Sequence, residues 1–489
     1  MAHWFHRNPI KATEHVDFQL KSILTTPQAS KICNELRLRR NHLLDHFKNA
    51  SNDLDLLNEN FKQYLSLFSG FVFAVNSGKD TDAKTSKLST IIRFRWTNSM
   101  LGMEATEASD SWYEVLNMCV NMALWLSKHA AWIAAKDEVF EGDAKKAHTC
   151  LRRSAGILIF VRENAGKVTG LISFPGSDFD PAVLTAYIHQ FTAEAQEITV
   201  ARAIELKHSA GIITALAYET SHLFMQADQS LGKLDQSLFG KWRYYLQFKS
   251  QIYTAFAYAF LGESLLSEDK CGDAIRACRE GVSCFDVAVD FAGKYRKTNG
   301  PGATAKPESH LFFRRIRPLL ERHTEKAERE NGFIYHQKVP DMCPELEGKP
   351  TFGLVEAEPF VMPNMSPLWT QAVYEAFDLS KAKMPDFSRV KRSGKSLSPV
   401  QEEKVYETER DPNNALTCTY FLEKERSCKW VKYRYSIFHV KFAGIRVKRT
   451  SDITSLSYNL ALIRLWLCTA CNSCRDVCIL DFCSFVLSR

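Results

Sequence analysis

The sequence predicts a mostly all-α protein, because long segments carry apolar residues at helical spacing while glycine is scarce. Of 489 residues, 45% are hydrophobic and only 22 are Gly, so a large helical core is possible. The first thirty residues alternate polar and apolar positions and predict short strands or an extended arm. The pattern then predicts nine helices, at 29–47, 54–68, 111–135, 143–162, 181–207, 210–228, 242–266, 270–295 and 310–330.

The helix at 181–207 has a start signal, since Asp180 can cap it and Pro181 suits the first helical position. A break at 209–211 separates it from the next helix. There, apolar residues and one Thr share a face: Ile212, Ile213, Leu216, Ala217, Thr220, Leu223 and Phe224. Two striped helices joined this closely pack antiparallel. The seam between them is either part of the core or a groove for a helix of another protein.

The pair of helices at 242–266 and 270–295 has the small-residue spacing of a tetratricopeptide hairpin. Gly262 is followed twelve residues later by Ala274, and the turn 270–273 lies between the helices. Tyr245, Phe248, Ile252, Ala255 and Ala259 step by three and four residues, which predicts a narrow packing seam. A solenoid segment and an ordinary helical hairpin both fit this pattern.

The region 335–367, here called the strap, contains six prolines, which forbid a long helix and predict an extended path over the helices. We predict one domain at 1–383, a charged flexible linker at 384–414 and an atypical, Cys-rich, basic tail at 415–489 that is poorly ordered. The net charge of +7 belongs to the end of the chain: from Lys381 onward there are 20 Lys and Arg against 11 Asp and Glu. The near-neutral remainder does not predict nucleic-acid binding.

The amino terminus has no signal-peptide pattern, and no apolar run reaches the length needed to span a bilayer. The seven Cys before residue 350 lie mostly in helical patterns and suit a reduced, cytoplasmic setting as small core residues. Nucleotide-binding, metalloprotease and serine-hydrolase motifs are absent. We therefore expect a protein that is not an enzyme and that needs no cofactor.

Seven short motifs, in order along the chain, resemble the Alix-related family of Bro-one domain proteins. They are HWFHRNP at 3–9, SKICN at 30–34, AQE at 195–197, AIELK at 203–207, ALAYET at 215–220, DKCG at 269–272 and ENGFIY at 330–335. The resemblance covers about residues 1–383. It implies a boomerang-shaped helical solenoid with a tetratricopeptide-like core, short N-terminal strands and a Pro-rich extended strap.

The same resemblance implies a function as an adaptor. The family's domain binds the C-terminal amphipathic helix of ESCRT-III subunits of the charged multivesicular body protein class. The resemblance also implies that the protein is recruited to the nuclear envelope during its repair and to endosomal membranes. It implies nesprin as a further partner. Family members of this kind end in a prenylated C-a-a-X box, whereas this sequence ends in Val-Leu-Ser-Arg, so we expect only peripheral membrane contact.

The resemblance also implies which residues contact the partner helix. Ile212 and Leu216 stand at aliphatic contact positions, and Thr199 replaces an aromatic residue of Alix. The remaining predicted contacts are Leu151, Glu141, Asp143, Lys145 and Phe352. Burial of each aliphatic side chain stabilises a complex by about 1.5–3 kcal/mol, against about 0–1 for an exposed ion pair, so the apolar pair should set affinity.

The tail contains a different kind of motif. Cys468, Cys471, Cys474 and Cys478 have the C-x2-C-x2-C-x3-C spacing of ferredoxin cluster ligands. Ile479 replaces the usual Pro, however, and a second run that would complete a two-cluster ferredoxin is missing. We favour a tail without a metal, and keep a metal or iron–sulfur redox protein as the alternative.

Overall fold

The structure is a computed structural model that describes residues 3–75, 84–102, 104–136, 138–170, 173–302, 310–346, 353–381 and 405–406. All of these lie in one of the chain's two units, Met1–Phe421. Within them the prediction of a mostly helical protein is confirmed. The helices are α1 (Pro27–Phe47), α2 (Leu54–Val72), α3 (Ser111–Ala134), α4 (Glu141–Asn164), α5 (Pro181–Glu205), α6 (Ala210–Ser230), α7 (Gln236–Ser267), α8 (Cys271–Lys297), α9 (Leu311–Arg314), α10 (Ile316–Glu330) and α11 (Gln371–Glu375).

Helix starts follow the expected capping chemistry. Asp180 accepts a hydrogen bond from the Ala182 amide at 2.9 Å, which confirms the predicted cap of α5. Asp235 caps α7 in the same way, so α7 begins six residues before the start that the sequence predicts. The predicted helix at 310–330 is instead two helices, α9 and α10, interrupted at Arg315.

Helices α5 to α8 pack on one another in chain order and are joined by short turns. The five residues of the predicted seam on α7 are buried, which confirms that prediction. Gly262 of α7 faces Cys278 of α8 so closely that a Cβ on Gly262 would lie 2.3 Å from the Cys278 sulfur. The two helices lie so close here that a side chain at position 262 would not fit, which explains the Gly in the spacing that predicts a tetratricopeptide hairpin.

A small antiparallel sheet has the order β3-β2-β1-β4. Its strands are β1 (Thr13–Glu14), β2 (Phe94–Thr97), β3 (Ala105–Ala108) and β4 (Val405–Tyr406). In register, Thr13 of β1 faces Trp96 of β2. β2 and β3 have no counterpart among the sequence predictions, because strands of four residues are too short to show a period. β4 lies inside the predicted linker.

The N-terminal arm, residues 3–12, is extended and threads between helices. Arg7 forms a 2.8 Å ion pair with Glu194 of α5, and Lys249 of α7 lies 2.8 Å from Glu197. The indole nitrogen of Trp4 also donates to Glu197, at 3.0 Å. The arm is therefore a buried part of the core, held by charges that hydrophobic patterning does not reveal.

No helix among the described residues is long and apolar enough to cross a bilayer. Five of the seven described Cys are buried and free, in line with the expectation of small core residues: Cys33, Cys119, Cys150, Cys271 and Cys278.

Candidate docking surface

The predicted contact residues that the structure describes lie on α4, α5 and α6. The turn between α5 and α6 is fixed by two hydrogen bonds: the His208 amide donates to Ala203 O at 3.0 Å and the Lys207 amide donates to Ile204 O at 3.1 Å. Lys207 has a φ of 55°, in the left-handed region. This is the Schellman geometry that ends a helix and reverses the chain, and it sets α6 beside α5.

The two aliphatic residues differ in accessibility. Ile212 is partly exposed, but Leu216 is only 2% exposed. Both residues are predicted to contact a partner helix, but the buried Leu216 is not accessible for such a contact in this structure. Leu151 of α4 is 0% exposed and supports the surface from inside the core rather than lining it. Thr199 of α5 is partly exposed.

Leu216 is covered by the strap. A Cβ built on Gly353 would lie 3.2 Å from Leu216 Cδ2 and 3.9 Å from Thr199 Cγ2, so the strap backbone rests on both helices. Gly353 has a φ of +81°, which a residue with a side chain rarely adopts. Sequence reasoning did not identify Gly353; its only signal is a Gly among the prolines of an extended segment.

Charged side chains form one edge of the surface. Glu141 lies 3.1 Å from Lys145 and 3.7 Å from Arg202, so the edge joins α4 to α5. The hydrogen bond and the charge of Lys145, with a smaller effect of Arg202, lower the pKa of Glu141. Asp143 pairs instead with Lys136 at 2.9 Å, and this hydrogen bond lowers its pKa.

We call the group of Thr199, Ile212, Glu141, Lys145 and Arg202 the α5–α6 surface. It combines the partly exposed Thr199 and Ile212 with exposed, paired charges at Glu141, Lys145 and Arg202. An amphipathic helix needs this combination, because its apolar face must leave water while its polar flanks stay solvated. Asp143 lies in the first turn of α4 but pairs with Lys136, outside this group.

Beyond Gly353 the strap continues across α4. The Glu358 amide donates to Arg152 O at 3.1 Å, and the Glu358 carboxylate pairs with Arg153 at 2.9 Å. Gly156 allows this crossing, since a Cβ there would lie 1.7 Å from Glu358 O. The prediction that this region runs extended over the helices is confirmed for its described residues.

Two sets of residues predicted above are not part of this surface. Phe352 and the run Cys468, Cys471, Cys474 and Cys478 lie outside the described residues, so their predicted roles stay predictions. Within the described residues, no group of three or more His, Cys, Asp or Glu could hold a metal ion.

Fold and surface together define the class: a helical scaffold with a buried N-terminal arm, an extended strap and a partly apolar patch with a charged edge. The chain belongs to the BRO1-like domain family, whose model matches residues 9–387. The family membership inferred from the seven sequence motifs is thereby confirmed.

Two relatives share most of their length with this chain. The BRO1 domain-containing protein BROX homolog of Caenorhabditis elegans is 54% identical over 424 residues, which cover 86% of this chain and 99% of the relative. Human BRO1 domain-containing protein BROX is 42% identical over 386 residues, covering 79% and 93%. In fold, the chain is similar to the solved ALIX BRO1–CHMP4C complex, with a TM-score of 0.57, 18% identity and coverage of 75% and 99%.

Proposed function

We propose that this protein is a non-enzymatic, ESCRT-associated adaptor. Its α5–α6 surface binds the C-terminal amphipathic helix of an ESCRT-III subunit of the charged multivesicular body protein class. The proposal is carried by the partly exposed Ile212 on α6 together with the exposed ion pairs of Glu141 with Lys145 and Arg202, which join α4 to α5. The solved complex of a fold relative, ALIX BRO1 with CHMP4C, supports the choice of partner.

The apolar side chain of Ile212 should dominate the affinity. Ile212 is partly exposed, so a ligand can still cover its apolar surface. Each Å² of apolar surface that the ligand buries stabilises the complex by about 25 cal/mol. Glu141 and Lys145 are 59% and 76% exposed at their side chains, so water and salt screen them strongly. We infer that they guide the approach and orientation of the partner helix more than they hold it.

The test is a calorimetric titration with a synthetic C-terminal helix of an ESCRT-III subunit. Ile212→Asp places a charge at this apolar position and should weaken binding at least about tenfold, the equivalent of one lost apolar contact. Leu216→Asp is a poor test, because a charge at this buried position would destabilise the fold itself.

Met225→Asp is the matched control. Met225 is an exposed apolar residue (39%) farther along the same helix, so the substitution adds the same charge to α6 away from the α5–α6 surface. Binding should then stay within about twofold of the unmodified protein. Equal affinity of Ile212→Asp and the unmodified protein, with circular dichroism unchanged, would refute this surface as the docking site.

We further propose that the protein is cytoplasmic and is recruited to the nuclear envelope, and to endosomal membranes, through ESCRT-III, with nesprin as a second partner. A fluorescent fusion should accumulate at nuclear-envelope ruptures in cells, and Ile212→Asp should abolish the accumulation. Recruitment of that variant at the normal level would assign the targeting to another part of the chain.

A further inference from the structure

Gln196 of α5 makes a paired contact with the strap. Its side-chain amide nitrogen donates to Gly353 O at 2.8 Å, and its side-chain oxygen accepts from the Val355 amide at 2.8 Å. Gln196 is 0% exposed, so neither bond competes with water at the side chain. One buried side chain thus bonds the strap backbone as a neighbouring β-strand would.

This contact lies where the strap meets the proposed partner site. Gly353 is the residue that rests on Leu216 and Thr199. Between the two bonded residues, Leu354 is held 43% exposed to solvent. The position of the strap therefore decides how much of Leu216 is covered.

The rest of the strap is anchored elsewhere. Arg152 donates to Glu356 O at 2.7 Å, Arg153 pairs with Glu358, and Ser66 of α2 accepts from the Ser366 amide at 2.9 Å. These contacts fix the strap over α4 and α2. Among the side-chain hydrogen bonds of the described residues, those of Gln196 are the ones that hold residues 353–355 over α5.

We propose that Gln196 is a positioning residue for partner binding: it fixes residues 353–355 as a wall of the α5–α6 surface, so that the docking site is built jointly by α4, α5, α6 and the strap. This inference rests on the proposed function. A partner helix then meets a wall already in place and does not have to order it on binding, which favours affinity.

The test combines two substitutions at this position. Gln196→Met keeps the volume but removes both hydrogen bonds, and it should weaken binding of the ESCRT-III helix about tenfold, since two bonds of ordinary strength no longer hold the wall. Hydrogen exchange at the Val355 amide should accelerate by a similar factor, as the amide loses its acceptor.

Gln196→Glu gives a sharper readout. Above its pKa the carboxylate still accepts from Val355 but repels Gly353 O, so affinity should fall. When the carboxyl group takes up a proton it regains a donor, so affinity should recover toward that of the unmodified protein measured at the same lower pH. A role in packing alone would not produce this recovery.

Gln190→Met is the matched control. Gln190 is a buried Gln on the same helix that also makes two side-chain hydrogen bonds, to Trp242 and Glu194, but none to the strap. The Gln190→Met variant should lose about as much stability as Gln196→Met and should keep its affinity for the partner helix.

Unchanged or tighter binding by Gln196→Met would overturn the proposal, and tighter binding would identify the strap as a lid. If the unmodified protein itself fails to bind, the proposed function falls first and this inference with it.

Discussion

Gly156 illustrates how a single residue determines the course of the strap. Its missing side chain lets the backbone of Glu358 pass directly over α4. Gly70 does the same for the ring of Trp369, since a Cβ on Gly70 would lie 2.2 Å from a ring carbon. At both positions the need for glycine comes from a neighbour distant in sequence, so helical periodicity gives no sign of it.

Gly156→Ala should destabilise the protein by about 1–3 kcal/mol, the usual cost of overpacking, because the new methyl group displaces the strap or α4. Chemical denaturation measures the change. Gly142→Ala on the same helix is the control: a Cβ there meets nothing within 4 Å, and Ala should be neutral or mildly stabilising. Equal stability of the two variants would contradict the close crossing.

Glu197 is a buried carboxyl group with unusual acidity. Burial raises its pKa to about 7; the Lys249 charge partly offsets the rise, and Glu194 adds to it. The folded protein therefore holds a proton that the unfolded chain releases near pH 4.5. This stabilising contribution is fully present below pH 4.5 and is lost as the pH rises toward 7.

Glu197→Gln removes this titration. The free energy of unfolding of the unmodified protein should decline between pH 4.5 and 7, with a contribution from Glu197 of at most about 1.4 kcal/mol per pH unit, the value for one proton. The variant should show a shallower decline over the same range. Glu205→Gln, at an exposed position, should keep the original slope. Parallel curves for Glu197→Gln and the unmodified protein would rule out this assignment.

Among the elements, eight of the nine predicted helices each correspond to one helix of the structure, because each carries a long apolar stripe, whereas the ninth is interrupted at Arg315. The N-terminal arm is different: an extended segment has no period of its own, and its burial depends on ion pairs with helices far along the chain. Arg7 and Glu194 are 187 positions apart yet form a two-bonded ion pair. The motif at 3–9 is one of those that indicate the family, but only the structure shows that ion pairs hold this arm in the core.

Arg7→Met should destabilise the protein by about 3–5 kcal/mol, because it leaves the Glu194 carboxylate buried without its cation. Adding Glu194→Gln removes the uncompensated charge, and the double variant should recover most of that loss. Thermal or urea denaturation of the three proteins measures both steps. A double variant as unstable as Arg7→Met alone would show that the arm is held by packing instead of charge.

For the whole molecule, the described parts of the proposed docking surface and of the strap come before residue 382. A chain ending at residue 410 keeps β4 and should bind the ESCRT-III helix within about twofold of the full chain. This prediction separates the adaptor from the alternative that depends on Cys468, Cys471, Cys474 and Cys478. Iron or zinc bound to the purified full chain, together with loss of function in the shortened one, would favour the redox alternative.

The amino-acid sequence by itself determined the helical class, the positions of most helices, the extended course of the strap and the family, because these depend on local periodicity, prolines and ordered motifs. It also placed Ile212 and Leu216 on one helical face. Only the tertiary structure decided which of the two reaches solvent, since the strap residue that covers Leu216 comes from 137 positions further along the chain. Burial depends on which residues are neighbours in space. Here Gly353 covers Leu216, and the buried Gln196 holds Gly353 in place.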